Sequence, residues 1–332
     1  MKGLVLPPLS ALYGAVTRTR LALYQRGTFH TTKLDRPVIS VGNMTAGGTG
    51  KTPLVEWVAR IIAAAGKSVC ILTRGYGREN PQRQVVVSDG KTILTTPAEA
   101  GDEPYLLATK LLGAAAVICN ADRISAGRYA IESLGADCFI LDDGFQHLRL
   151  ARELNIVTID ATNPWGGGQL LPYGRLREPI PNLNRADCVV MTRCDQAENL
   201  DSLRAEIRAL IRSRPTFLSS MKPVRSLLPT GPVAAFCAVG NPAAFFKQLK
   251  ATDYDVVLEK SFTDHHAYTQ HDVDDLIRAA ARAGATSLIT TAKDAVKLRS
   301  LHFSLPWHVF EIEISIEDEA ALIQLIKTAA GV

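Results

Sequence analysis

The sequence predicts an α/β protein in three parts: a mostly parallel sheet with helices on both faces, a smaller C-terminal α/β domain, and an N-terminal amphipathic helix. Three observations predict this. Apolar runs of strand length alternate with helical patterns along the chain, which implies parallel strands joined by right-handed crossovers. Several of those runs are near-continuous Val, Ile, Leu or Cys, as strands covered on both faces require. The turn-rich segment Pro229-Thr230-Gly231-Pro232 interrupts the alternation, which then restarts. The parts are expected at 1–34, 35–228 and 229–332.

Composition supports this plan and narrows the function. A chain of 332 residues suits about two domains, and 47% hydrophobic residues fill large cores. A net charge of +4 gives no reason to expect nucleic acid. The charge is uneven, however. Residues 1–34 hold Lys2, Arg18, Arg20, Arg26 and Lys33 and no acid, so attraction to an anionic surface belongs there. Cys70, Cys119, Cys138, Cys188, Cys194 and Cys237 are scattered without Cys-x-x-Cys spacing, which reads as reduced thiols rather than a disulfide frame or zinc site. No stretch reaches the roughly 18–20 apolar residues that span a bilayer, and the N-terminus lacks the order of a signal peptide.

The first element is a helix from Pro8 to Arg26. Leu9, Leu12, Tyr13 and Val16 share a face, Leu23 and Tyr24 extend it, and Pro8 suits the first turn. A basic, acid-free amphipathic helix can lie in an anionic membrane interface; it can equally pack on its own domain with solvated arginines.

Next comes an apolar run from Pro37 to Asn43, a glycine-rich turn, and a helical pattern from Lys51 to Val58. The turn Thr45, Ala46, Gly47, Gly48, Thr49, Gly50, Lys51 and Thr52 has the chemistry of a P-loop. Its glycines let backbone amides approach a ligand, and the helix start aims its dipole and free N–H groups at the same spot. Lys51 adds a point charge for phosphates and Thr52 a hydroxyl for magnesium. Thr45 stands where the general pattern has glycine. The competing reading is an ordinary strand-turn-helix joint.

Further strands are expected at Ser68–Thr73, Gln84–Ser88, Ala115–Cys119, Cys138–Asp142, Asn155–Asp160 and Asp187–Thr192, with a short one near Thr92–Thr95. Ligands collect beyond the carboxyl ends of such strands, so the residues after each strand form a site list. It reads Arg74-Gly-Tyr-Gly-Arg78, Gly101-Asp-Glu-Pro104, then Asn120, Asp122 and Arg123, then Asp143-Gly-Phe-Gln-His147. An acid ending an apolar strand, here Asp142, helps hold the magnesium of a P-loop site. Side chains alternate along a strand, so Asp143 should point elsewhere, toward a loop or substrate. A turn opened by Asp-Asp-Gly is the alternative.

The Gly- and Pro-rich segment from Asn163 to Pro181 carries Trp165, Leu170, Tyr173, Arg175 and Arg177. A loop this long is functional or disordered. Its large apolar residues argue against plain disorder, and its arginines suit an anionic ligand; stiffening alone is the alternative. Met191-Thr-Arg-Cys-Asp195 only faintly resembles a GTPase base-reading motif and implies no guanine site. A helix at Asn199–Ser213 and a strand or connector at Thr216–Ser220 precede the second α/β domain. That domain is expected to hold strands Val233–Val239, Val256–Phe262, Ser287–Thr291 and Val309–Ile314, with helices Ala243–Lys250 and His271–Ala283. Asp264-His265-His266 lies in its loops. Three sequence neighbours rarely converge on one metal, and capping the next helix is the plainer reading.

The motifs taken together are more specific than their parts. Val41-Gly-Asn-Met-Thr45 leads into Gly-Gly-Thr-Gly-Lys-Thr-Pro53. Arg74-Gly-Tyr-Gly, Gly101-Asp-Glu-Pro, Asp142-Asp-Gly-Phe-Gln-His147, Leu170-Leu-Pro with Arg177-Glu-Pro, Asp264-His-His and Thr291-Ala-Lys-Asp294 follow in order. Across nearly the whole chain this resembles the tetraacyldisaccharide 4'-kinases, whose own loop departs from the general pattern at the position of Thr45. The resemblance implies a P-loop NTPase-like fold and ATP- and Mg2+-dependent phosphorylation of the 4'-hydroxyl of a tetraacylated glucosamine disaccharide 1-phosphate, giving lipid IVA in lipid A biosynthesis. It implies Asp102 as the catalytic base, oriented by His265, and Thr52 with Asp142 at the metal. More weakly it carries Asp143, His147, Arg123, Arg177 and Glu178 to the surroundings of the metal or the disaccharide phosphate. His265 belongs to the C-terminal part, so the resemblance sets the site between the two parts and implies cleft closure. It also implies peripheral residence at the cytoplasmic face of the inner membrane, with the N-terminal helix at the lipid and no obligate protein partner. Two alternatives remain at this level: another P-loop kinase or ligase with a small soluble substrate, and a membrane-surface ATPase switch, which would more often carry a second lysine where Ala46 stands.

Overall fold

The computed structural model describes residues 2–224, 231–264 and 266–332, with side chains from residue 6 onward. In chain order, α1 (Lys2–Gln25), β1 (Val38–Asn43), α2 (Lys51–Ala64), β2 (Val69–Thr73) and β3 (Val85–Ser88) come first. Then come α3 (Pro97–Ala100), α4 (Asp102–Lys110), β4 (Ala115–Cys119), α5 (Arg123–Leu134), β5 (Cys138–Asp142) and β6 (Leu154–Asp160). β7 (Cys188–Thr192), α6 (Leu200–Ile211), β8 (Thr216–Pro223), β9 (Val233–Cys237), α7 (Pro242–Lys250) and β10 (Val256–Ser261) follow. The chain ends with α8 (Gln270–Arg282), β11 (Ser287–Thr291), α9 (Ala292–Leu298), β12 (Trp307–Phe310), β13 (Ile312–Ile316) and α10 (Glu319–Ala330).

One sheet has the order β13-β8-β7-β6-β1-β5-β2-β4-β3. From β8 to β4 its pairs are parallel, and β3 runs antiparallel to β4. β2, β4, β5, β6 and β7 are buried along their whole length, which is why their sequences run apolar without alternation. A second sheet, β10-β9-β11-β12, is parallel throughout. Alternate residues of β9 serve opposite cores: Val233, Ala235 and Cys237 pack with Phe245 and Leu249, while Ala234 and Phe236 pack with Leu276 and Ala280. Helix ends follow local chemistry. Asp122 caps α5 by accepting from the backbone N–H of Ile124 and Ser125, and Gly135 ends that helix in the left-handed region.

The chain divides into two compact units, 1–221 with 314–332 and 222–313. The expected boundaries at 34 and 228 therefore shift. α1 belongs to the first unit, where Ser10 Oγ donates to Leu170 O and Tyr13 Oη to Arg177 O, each at 2.8 Å. The C-terminus returns to the first unit because α10 carries its own apolar stripe, Leu322, Ile326 and Ala330, and packs on α2 and β1. The strand expected at Val309–Ile314 is split at Glu311 into β12 and β13, one in each sheet. The short strand expected at Thr92–Thr95 is only an isolated bridge between Ser88 and Ile93. In α1, Leu9, Leu12 and Val16 do share a face, but it is the outer one, exposed by 45%, 62% and 57%; Tyr13 faces the protein instead. Among the described residues no helix is long and apolar enough to cross a membrane.

Candidate active site

β1 delivers the phosphate loop, and a buried hydroxyl network fixes it from below. Asn43 Nδ2 donates to Thr45 O at 2.7 Å and to Thr49 Oγ1 at 3.0 Å. Thr49 Oγ1 lies 2.8 Å from Thr158 Oγ1 on β6, and Thr192 Oγ1 at the end of β7 donates to Thr49 O at 2.9 Å. All four side chains are buried. Thr49 therefore braces the loop from the sheet side. Gly50 takes φ 78° as the residue before α2, and a Cβ there would come within 2.7 Å of Met221 Cε; only glycine meets both demands. Thr45 is tolerated where the general pattern has glycine because its φ is not positive and it forms an antiparallel bridge with Leu176.

That bridge belongs to the segment 163–181, which lies along the phosphate loop as a strap. Arg177 N donates to Met44 O at 2.8 Å, and Ala46 N donates to Arg175 O at 2.7 Å. Arg175 Nε returns a bond to Ala46 O at 2.9 Å. Arg193, beyond β7, donates to Gly48 O at 3.2 Å and pairs with Asp160. Arg175 is one of the two strap arginines that the sequence marks as suited to an anionic ligand, and long-range backbone bonds bring it to Ala46; nothing in the sequence points to Arg193.

The two adjacent acids do separate. Asp142 ends β5 beside β1, with its side chain buried and Thr73 Oγ1 donating to its Oδ2 at 2.9 Å. Burial, then the charges of Asp143 and Glu103, push its carboxyl up to about 6, against the pull of Lys51 and Thr73. Asp143 turns into the left-handed region at φ 55°. Its Oδ1 sits 3.5 Å from Lys51 Nζ and its Oδ2 2.6 Å from Arg177 Nη1. Burial raises its proton affinity, but the two cations outweigh that and hold the carboxyl below the ordinary range.

The other candidates fall around this centre. Gly101 takes φ 87°, and a Cβ there would meet Tyr76 O at 2.6 Å. The Gly101-Asp-Glu-Pro turn thus seats directly on the Arg74-Gly-Tyr-Gly loop. Asp102 is the first residue of α4, with Gly101 at the cap position. Glu103 lies close enough to raise the Asp142 carboxyl. Arg123 is buried at the start of α5; burial lowers its proton affinity, and Asp142 is the charge that opposes this most. His147 is pushed down to about 4 by burial and by Arg123, Arg152, Arg149 and Arg20, and its Nε2 is buried without a hydrogen-bond partner. Glu178 is saturated by the protein: Oε1 accepts from Gln146 at 2.8 Å, and Oε2 from Asn182 at 2.9 Å and from Arg185. It orders the strap's far end. His265 lies outside the described residues. All six cysteines are free.

With this geometry in place, the comparisons are decisive. The sequence model of the tetraacyldisaccharide-1-P 4'-kinase (LpxK) family matches residues 3–330. The chain belongs to that family. It is 45% identical to the tetraacyldisaccharide 4'-kinase of Geobacter sulfurreducens over 96% of this chain and 91% of the relative. It is 46% identical to the protein of that name from Geobacter metallireducens, over 89% and 88%. A crystal structure of LpxK from Aquifex aeolicus, described as in complex with ATP, superposes with a TM-score of 0.81 at 33% identity, covering 97% of both chains. Membership in the 4'-kinase family displaces the two sequence-level alternatives, a small-substrate kinase and an ATPase switch. It also places the loop and strap in a P-loop phosphotransferase.

Proposed function

We propose that this chain transfers the γ-phosphoryl group of ATP to the 4'-hydroxyl of tetraacyldisaccharide 1-phosphate. The observation that carries this reading is the braced phosphate loop at the carboxyl end of β1, with Lys51 beside Asp143, in a chain matched end to end by one kinase family. Phosphoryl transfer asks little covalent work of a protein; positioning and charge neutralisation dominate. The loop amides and Lys51 bind the triphosphate.

Thr52 and Asp142 are the residues that would hold Mg2+. Their oxygens suit a hard cation, and the raised carboxyl of Asp142 among other acids is the environment a cation relieves. Among the described residues no three Cys, His, Asp or Glu side chains converge as a metal cage, which suits an ion shared with phosphate oxygens. When bound, the ion neutralises charge on the β and γ phosphates.

Asp102 takes the proton of the sugar hydroxyl; its expected partner, His265, lies outside the described residues. Asp143, held by Lys51 and Arg177, links the loop to the strap. Arg123 and Arg177 meet the disaccharide phosphate. The outer face of α1, with Leu9, Leu12 and Val16 exposed and Arg18 and Arg20 following in sequence, supports docking at an anionic cytoplasmic membrane surface where the acceptor resides. The test is incubation with γ-labelled ATP, Mg2+ and tetraacyldisaccharide 1-phosphate in detergent micelles. Labelled lipid is expected; ATP consumption without labelled lipid would defeat the assignment.

A further inference from the structure

The strap carries a feature that the P-loop and the base do not explain. Four cations stand around the phosphate loop. Lys51 and Arg177 share Asp143, and Arg193 is paired with Asp160. Arg175 is exposed, has no carboxylate partner among the described residues, and makes only the Nε bond to Ala46 O. Its guanidinium lies directly over Gly47: a Cβ at Gly47 would overlap Nη2 and come within 3.1 Å of Cζ. Gly166, at φ 56°, leaves room on the other side, where a Cβ would meet Arg175 Cβ at 2.7 Å. Two glycines therefore make space for one arginine. Backbone bonds on both sides of it, from Ala46 N to Arg175 O and from Arg177 N to Met44 O, fix its register.

We propose that Arg175 is a catalytic arginine supplied within the chain, whose terminal nitrogens meet the transferring phosphoryl group over the middle of the phosphate loop. This rests on the kinase reading above. In the step, the sugar oxygen forms a bond to the γ phosphorus while the bond from γ phosphorus to the β–γ bridging oxygen breaks. The electron pair leaves with ADP, and the hydroxyl proton passes to the Asp102 carboxylate. Charge spreads over the equatorial phosphoryl oxygens as this happens, and a planar guanidinium with two free amino groups matches their geometry as a lysine does not. The Nε bond to Ala46 O holds the fork in place before the nucleotide arrives, so little ordering remains to be done during the reaction.

The test compares wild type, Arg175→Ala and Arg175→Lys with ATP, Mg2+ and the disaccharide acceptor. Arginines in this role contribute roughly 10³-fold or more to turnover. The expected result is a loss of that order in kcat for Arg175→Ala, little change in ATP affinity by calorimetry, no recovery with lysine, and partial recovery on adding guanidinium chloride at millimolar levels. Arg175→Ala should also fail to trap ADP with aluminium fluoride in the presence of acceptor, where wild type succeeds. A kcat within a few-fold of wild type overturns the proposal. So does a variant whose ATP affinity and melting temperature fall while kcat at saturating ATP is kept, since that marks a strap tie only. Wild type that labels no lipid sinks the kinase reading, and this proposal with it; wild type that labels lipid as fast as Arg175→Ala sinks this proposal alone.

Discussion

Replacing Asp142 with Asn should make the nucleotide-free protein more stable while removing its activity. Asp142 is only 7% exposed, and its carboxyl is raised from 3.8 to about 6 by burial and by the charges of Asp143 and Glu103. Each unit is about 1.4 kcal/mol, so ionised Asp142 costs the fold about 3 kcal/mol at neutral pH. Asparagine keeps an oxygen for the Thr73 hydroxyl and removes the charge. Arg123 loses an anionic neighbour in exchange, which trims the expected gain to about 1–3 kcal/mol. The pH dependence has a definite sign. The folded protein holds this proton more tightly than the unfolded chain, so the wild type loses stability as pH rises from about 4 to about 6 and the cost is constant above that. The assay is urea denaturation in EDTA at pH 7.5 and at pH 4.5. Asp142→Asn should exceed wild type at pH 7.5, and the gap should shrink at pH 4.5. A variant less stable than wild type at pH 7.5, or a gap indifferent to pH, would refute the electrostatic reasoning.

Three further outcomes are expected. Asp102→Asn should lower kcat by roughly 10²–10⁴-fold, the usual range for a general base, with ATP binding by calorimetry preserved; near-normal turnover would place the base elsewhere. Leu12→Asp with Val16→Asp should weaken sedimentation with anionic vesicles and leave the melting temperature unchanged, because both side chains are exposed; unchanged vesicle binding would remove α1 from the membrane. Asp294→Ala should destabilise the second unit by about 2–4 kcal/mol. The carboxylate is fully buried and accepts from Ala238 N at 3.1 Å and Thr291 Oγ1 at 2.7 Å. Urea melts within 0.5 kcal/mol of wild type would contradict that role.

The legible parts of this fold were those written in local sequence. Continuous apolar runs such as Cys138–Asp142 mark strands buried on both faces, and Gly47, Gly48, Gly50 and Lys51 announce a phosphate loop wherever they follow such a strand. Asp142 and Asp143 were separable because side chains alternate, and they do part company. What escaped is non-local. The split of β12 from β13 depends on which sheet each half joins. α10, with its stripe Leu322, Ile326 and Ala330, was missed, and so was its return to α2. The outward face of α1 depends on where the strap offers Leu170 O and Arg177 O to Ser10 and Tyr13. Glu178 resembles a ligand residue in its motif, yet its oxygens are filled by Gln146, Asn182 and Arg185. Arg175 was one of two arginines suited to an anionic ligand in a long Gly- and Pro-rich segment, and only pairing with Ala46 brings it over the loop.

The most direct measurement is to locate the new phosphate. Tandem mass spectrometry and phosphorus NMR of the lipid recovered after reaction with wild type, and with Lys51→Ala as control, read its position on the sugar. The account predicts a second phosphomonoester at the 4' position of the distal glucosamine with wild type, and unchanged monophosphate with Lys51→Ala. A lipid that stays monophosphorylated while ATP is consumed, or one phosphorylated at another hydroxyl, would contradict it.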